Sequence, residues 1–424
     1  MNLAGWFNRT FFFAPAGRLD ALEGVRGLAI VLVVVVHFFG HYSASNYFLP
    51  GGALLARILA VLTVGHMGVD LFFILSAFLI FSSAARAGVA RFDLRRFAIK
   101  RSHRIFPAHF IAIGLWILLL RFNNRAALAG LVLLPLLYYS ISSRPGFPLW
   151  SRNLFLSLFF LMPATLIGYV LLVPLATDWT IDNSYAVVQK GLLEMSLAST
   201  LIDYDLNFNP TWSLSLEVFF YLLVPLLLVA HAQLGSRYRA LAGALFAICV
   251  AVWLVSPELS LRGPRFMAFA FGIGLIPLVR NMEERGDLQA RLGRWGYLVL
   301  PALVLCQYAF VSYFQYYGRD HELLFYLACD CVFALLVASA LSGNGPMYRL
   351  CAWRPLRFLG NISFSLYITH ALIIGATRPY LHGQSFAGMW LDAAISLGLC
   401  VAVACYTFYF VEREYFQRGH HEPR

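Results

Sequence analysis

The sequence predicts an all-α fold, a polytopic integral membrane bundle of ten to twelve transmembrane helices, on three observations. The chain of 424 residues is 60% hydrophobic and only 12% charged, and ordinary soluble domains carry about twice that charged fraction. Its mean hydropathy is +0.71, more apolar sequence than a soluble core can bury. The apolar residues fall into successive stretches close to the roughly 20 residues that cross a bilayer as a helix. Arginines also recur at every second connection between those stretches, the asymmetry that marks cytoplasmic loops.

Residues 1–17 have no cleavable-signal layout; Trp6, Phe7 and Phe11 to Phe13 suit an interfacial segment. The first span is expected at 27–42 and the second at 65–85, with a Gly-, Ser- and Pro-containing connection that turns apolar before residue 64. Between Arg86 and Arg104 seven basic residues face the single acid Asp93. That loop is cytoplasmic by the positive-inside rule, and two spans precede it, so the N-terminus is cytoplasmic as well. A third span is expected at 105–120. The stretch 126–141 is short for a span, tilted or re-entrant, and 153–175 is a further apolar stretch. In 176–210 the acids Asp178, Asp182, Glu194, Asp203 and Asp205 face only Lys190, which suits the outer side. Further spans are expected at 212–230, 240–255, 266–279, 296–311, 323–341, 362–376 and 389–410. The inward loops carry Arg237 and Arg239, then Arg280, Arg285, Arg291 and Arg294, then Arg349, Arg354 and Arg357. Both ends lie inside whether twelve stretches cross or ten. The organisation expected is thus an interfacial segment at 1–17, one membrane domain at 18–413 and a cytoplasmic tail at 414–424. No internal repeat argues for a transporter built from inverted halves.

The formal net charge is +11, and among the 32 basic residues only Lys100 and Lys190 are lysines. In a chain this apolar, such charge reads as topology signal and lipid-headgroup contact rather than nucleic-acid binding. The seven cysteines lie in or beside apolar stretches without metal-ligand spacing, so no metal is expected.

Ionisable residues inside spans are the candidates for chemistry, because each is costly at that depth. Arg26 and His37 are eleven residues apart, about 16 Å along a helix, so the arginine sits near one surface and the imidazole within the bilayer. His37, Asp70 and Glu217 come from three spans at similar outer-leaflet depth, which suggests one polar cavity; the plainer reading makes each an independent packing contact. Ser213, Glu217 and Tyr221 are spaced by four and share a helix face. The run from Arg95 to Arg104 places guanidinium groups at the inner mouth, where they suit phosphates, although topology signal alone would produce the same charges. Asp330 lies at mid-depth and fits no motif.

These residues sit in motifs that resemble the acyltransferase-3 family, membrane proteins that O-acylate carbohydrates and other hydroxyl acceptors. The opening helix with Arg26 and His37 is similar to the family's first. Gly68-Val-Asp70-Leu-Phe-Phe-Ile-Leu-Ser76-Ala77-Phe78 resembles G-V-D-x-F-F-x-x-S-G-F, with Ala77 in place of glycine. Lys100-Arg101-Ser-His103-Arg104-Ile-Phe-Pro107 resembles the basic run before R-I-x-P. Trp212-Ser213-Leu-Ser215-Leu-Glu217 resembles W-S-L-S-x-E. Arg262 and Arg265 before Phe269 and Gly272 resemble R-x-x-x-F-x-x-G. Gly360 to His370 resembles G-x-x-S-Y-S-L-Y-x-x-H. Their order covers most of the chain, apart from the apolar stretches around 126–175.

The resemblance implies a membrane O-acyltransferase that takes an acyl group, acetyl by default, from cytoplasmic acyl-CoA. The acceptor implied is a cell-envelope or exported carbohydrate or a lipid-linked sugar, in a bacterial cytoplasmic membrane. His37 is then the general base, with Glu217 or Asp70 orienting its imidazole. Arg26, Lys100, Arg101 and Arg104 meet the donor's phosphates. Ser76, Ser213, Tyr221, Arg262, Arg265 and His370 line the acceptor side of the cavity. The competing classes are a multi-span transporter or channel for a polar or anionic solute, and a scaffold without turnover. Only an acyltransferase consumes acyl-CoA with dependence on His37.

Overall fold

A computed structural model of the chain describes residues 3–12, 20–43, 65–88, 91–117, 127–144, 154, 157, 164, 194–197, 210–235, 237–255, 263–317, 322–377 and 386–413. Among these residues the structure is helical, without strands. The helices are α1 (Leu3–Phe11), α2 (Asp20–Ser43), α3 (Gly68–Ala87, after a 3-10 turn at Gly65–Met67), α4 (Leu94–Trp116) and α5 (Ala127–Ser142). They continue with α6 (Thr211–Gln233), α7 (Tyr238–Val255), α8 (Gly263–Glu284), α9 (Gly286–Tyr317) and α10 (Glu322–Ala340). The last are α11 (Gly345–Cys351), α12 (Arg354–Asn361), α13 (Ser363–Thr377) and α14 (Phe386–Thr407), which ends in a π-turn at Phe408–Glu412. Seven described helices (α2, α3, α6, α7, α8, α10 and α14) are long and apolar enough to cross a membrane. Leu226, Val255, Tyr297, Leu298 and Leu305 are exposed on their helices, an exterior suited to lipid. The molecule is a polytopic membrane helix bundle.

Most expected spans coincide with these helices. The basic stretch before the third span differs: it is the opening of α4, not a loop. Asp93 caps the helix by accepting a hydrogen bond from the Arg96 amide at 2.9 Å, so the turns carrying Arg95 to Arg104 are already helical. The stretch at 126–141 forms the sixteen-residue α5. Most of 153–175, and the tail from 414, lie outside the described residues.

The chain divides into two compact units. One comprises Met1–Phe92, Val224–Ser363 and Gly383–Trp390, the other Asp93–Leu223, Phe364–His382 and Leu391–Arg424. In the first, α2 packs on α12, α11 and α3, while α8 packs on α3, α7 and α10. Glycines let the backbones approach: a methyl at Gly24 would meet the Cys351 carbonyl, one at Gly27 the Leu356 carbonyl, and one at Gly360 the Glu23 carbonyl. Arg357 fastens the start of α2 to α12, reaching Asp20 and Glu23 at 3.1 Å each. The N-terminal α1 docks on α12, with Phe7 and Phe11 against Phe358 at 5.5 and 5.4 Å between ring centres. Arg354 donates to the Asn8 side chain at 2.6 Å, and Asn361 to the Phe11 carbonyl at 2.7 Å.

The second unit contains α4, α5, α13 and most of α14. Leu115 and Leu372 centre an apolar cluster with Ile111, Leu131, Leu134 and Ala376. Tyr406 donates to the Val132 carbonyl at 2.7 Å, and the buried Glu412 accepts from Ser365.

Candidate active site

In the first unit, α2 carries both Arg26 and His37. The apolar run around His37 keeps its ring half-buried, and Nδ1 lies 2.8 Å from the Val33 carbonyl one turn back. A carbonyl only accepts, so Nδ1 carries a proton, and in the neutral ring the lone pair is on Nε2. That tautomer presents a basic nitrogen on the side of the ring away from its own backbone.

Asp70 starts α3 and is fully buried. It does not stand alone: Arg265, in the first turn of α8, approaches it at 3.4 Å. The Nε of Arg265 donates to the Tyr326 hydroxyl at 3.2 Å, and its guanidinium lies 5.0 Å from the Tyr326 ring centre. Asp330, one turn along α10 from Tyr326, is also fully buried, and Asp70 and Arg265 both act on it electrostatically. Among the described residues neither carboxylate oxygen of Asp330 has a hydrogen-bond partner. Asp70 thus pairs with a guanidinium inside the span region, and Asp330 lies near enough to feel both charges. Helix packing explains how they meet. Phe73 stacks on Phe269 at 4.7 Å, and Gly272 lies where a methyl would be 2.8 Å from Ala77 Cβ. The close approach beside Ala77 is therefore supplied by the facing helix. Ser76 is buried on the same helix.

In the second unit, Glu217 and Tyr221 lie one turn apart on α6, and the Tyr221 hydroxyl donates to Glu217. Arg101 of α4 donates to that hydroxyl at 3.4 Å and stacks between the rings of Tyr221 at 5.0 Å and Phe97 at 5.6 Å. Tyr221 is about 15 Å from the start of α6 by helical rise. Arg101 accordingly meets α6 near its middle. Arg104 lies 5.7 Å from the Phe364 ring centre, and Lys100 is half-buried beside them in sequence. Ser213 donates to the Pro210 carbonyl at 3.2 Å and pairs with the Tyr367 hydroxyl. His370, fully buried on α13, directs Nδ1 to the Tyr367 carbonyl at 2.6 Å, so its Nε2 also holds the lone pair.

The structure thus joins Asp70 with Arg265, and Arg101 with Tyr221 and Glu217. His37 belongs to the first unit and Glu217 to the second, and Arg262 lies outside the described residues. Sequence reading missed Tyr326 and left Asp330 without a role. Their spacing of four on one apolar helix was the available signal, but its partner Arg265 is 61 residues from Tyr326. Tyr367 was likewise missed as the partner of Ser213.

The family model described as "Acyltransferase domain" (acyltransferase-3) matches residues 19–188 and 155–409, which is most of the chain. The chain is 24% identical over 382 residues to the protein YrhL of Bacillus subtilis, covering 85% of this chain and 49% of that one. It is 25% identical over 394 residues to "Acyltransferase MdmB" of Streptomyces mycarofaciens, covering 89% and 84%. It is 22% identical over 423 residues to "Peptidoglycan O-acetyltransferase OatA" of Listeria monocytogenes, covering 95% and 56%. The chain therefore spans about half the length of YrhL and of OatA. No solved structure matches it.

Proposed function

The chain belongs to the acyltransferase-3 family, and from that membership we propose that it is an integral membrane O-acyltransferase. It moves an acyl group, acetyl by default, from a cytoplasmic acyl thioester to a hydroxyl of a cell-envelope or exported carbohydrate. The observation that carries this reading is His37, an imidazole within an apolar span whose Nδ1 is occupied by the Val33 carbonyl and whose Nε2 holds the lone pair. A neutral imidazole of that tautomer is suited to general-base work near neutral pH. The acceptor oxygen attacks the thioester carbonyl as Nε2 takes its proton. The carbon–sulfur bond then breaks, and the proton passes from the imidazolium to the departing thiolate.

The donor proposed is acyl-CoA, with Lys100 and Arg104 meeting its phosphates. Arg101 has a different part. Its hydrogen bond to Tyr221, which in turn donates to Glu217, makes it a positioning residue for the carboxylate. The name of OatA, a peptidoglycan O-acetyltransferase, favours an envelope carbohydrate as acceptor.

Inverted membrane vesicles given labelled acetyl-CoA provide the test. Label is expected to enter polysaccharide or lipid-linked sugar with wild-type protein. His37→Ala at equal protein level is expected to reduce that transfer by about 10²-fold or more, the usual scale for a general base. Equal labelling in both would remove His37 from the mechanism.

A further inference from the structure

The arginine-bearing ends of α2, α3 and α8 line a cavity of about 460 Å³, and two of its arginines, Arg86 and Arg280, have no part in the acyl-transfer scheme. That volume is in the range of small-molecule sites, about 300–1,000 Å³. Arg26, Arg86 and Arg280 line it together with Glu23 and Glu283, and Leu22, Phe78, Ile276 and Val279 form apolar walls. The charges do not cancel locally. Glu23 is held by Arg357, which also takes Asp20. Around the cavity, four guanidiniums (Arg26, Arg86, Arg280 and Arg357) stand against three carboxylates (Asp20, Glu23 and Glu283). Among the described residues Arg86 makes no hydrogen bond or ion pair. Arg280 makes no ion pair there either and lies 5.6 Å from the Tyr238 ring centre. Arg280 also lines an adjoining cavity of about 420 Å³ with Arg237 and Arg239, which adds two more cations at the same helix ends.

An arginine in the last turn of a helix complements the helix dipole, and that accounts for the position of Arg86. It does not account for a walled cavity to which three helices each bring a guanidinium. Planar guanidinium forks match phosphate oxygens. Apolar walls running from the charged mouth into the span region match a chain attached to that phosphate. We propose that these adjoining cavities bind the phosphate ester of an amphiphile, with Arg86 and Arg280 on the phosphate and the apolar walls on its chain. Two sources share that chemistry: an anionic phospholipid of the same leaflet, and the phosphorylated end of a pantetheine thioester. The coenzyme A arm rests on the acyl-transfer reading, whereas the lipid arm does not, and both are tested by binding rather than turnover.

The purified full-length protein in detergent would be titrated calorimetrically with coenzyme A and, separately, with dioctanoyl phosphatidylglycerol. The variants are the double Arg86→Gln/Arg280→Gln and the cavity-filling Ala85→Phe, which leaves every charge in place. Affinity for at least one probe is expected to fall about tenfold or more in both variants. A fall for coenzyme A alone assigns the donor's phosphorylated end, and a fall for the lipid alone assigns a lipid site. A fall for both supports a phosphate site that does not discriminate. Affinities unchanged in both variants, or no binding of either probe to the wild type, would overturn the proposal. Should the double glutamine variant fail to fold, Ala85→Phe decides the matter. Arg86→Lys/Arg280→Lys, which keeps the charges but loses the forks, is expected to fall between wild type and glutamine.

Discussion

At the scale of single residues, Arg265 is the member of the buried cluster with the most to lose. It serves Asp70 at 3.4 Å, donates to Tyr326 and acts electrostatically on Asp330. Removing one partner of a buried ion pair costs about 3–5 kcal/mol because a charge is left uncompensated. Arg265→Gln would leave two buried carboxyls without their cation, whereas Asp70→Asn leaves Arg265 still facing Asp330. The expected outcome is therefore unequal: thermal unfolding in detergent should fall much further for Arg265→Gln than for Asp70→Asn. Equal losses would show that Asp330 does not share the guanidinium. On α6, Tyr221→Phe removes the hydroxyl between Arg101 and Glu217 but keeps the ring under the guanidinium. It should lower kcat for acyl transfer about tenfold or more with little change in folding. A change confined to the donor's KM would instead make Arg101 a donor contact. The link between Glu217 and Tyr221 was legible in the sequence because a spacing of four shares a helix face. The pairing of Arg265 with Asp70 was not, because the two are separated by 195 residues.

At the scale of elements, small residues decide which helices touch. Gly27 and Gly360 face each other's helices so closely that a side-chain carbon would occupy the space of a carbonyl oxygen. Gly27→Ala should therefore destabilise the protein by about 1–3 kcal/mol, the scale of overpacking, seen as a lower Tm in detergent. Gly243→Ala, on α7 with open space beside it, is the control and should change Tm little. The departure at Ala77 illustrates the same physics. Its methyl is accommodated because Gly272 on α8 presents none. Sequence alone marked Ala77 as an exception to its motif but could not show which neighbour absorbed it. The start of α4 is a comparable case. The basic residues read as a loop from charge alone, while the Asp93 cap and the aromatic supports Phe97 and Tyr221 make a helix of them.

At the scale of the whole molecule, the distribution of arginines predicts the orientation. Alkaline phosphatase fused after Gln233 or Glu284 should be inactive in bacterial cells and active after Val255, since the first two sites adjoin inward arginines. The reverse pattern would overturn the cytoplasmic placement of the termini. Membrane class, most helix positions and the family were determined by the sequence, because hydropathy, length and motif order are properties of contiguous residues. The tertiary structure alone decided which buried charges share a partner, where Arg101 reaches along α6, and that three arginines from three helices meet around one cavity. The physical reason is that a charge inside a bilayer is stabilised by whichever opposite group packing brings near. That group lies on another helix, at a sequence distance no local pattern encodes.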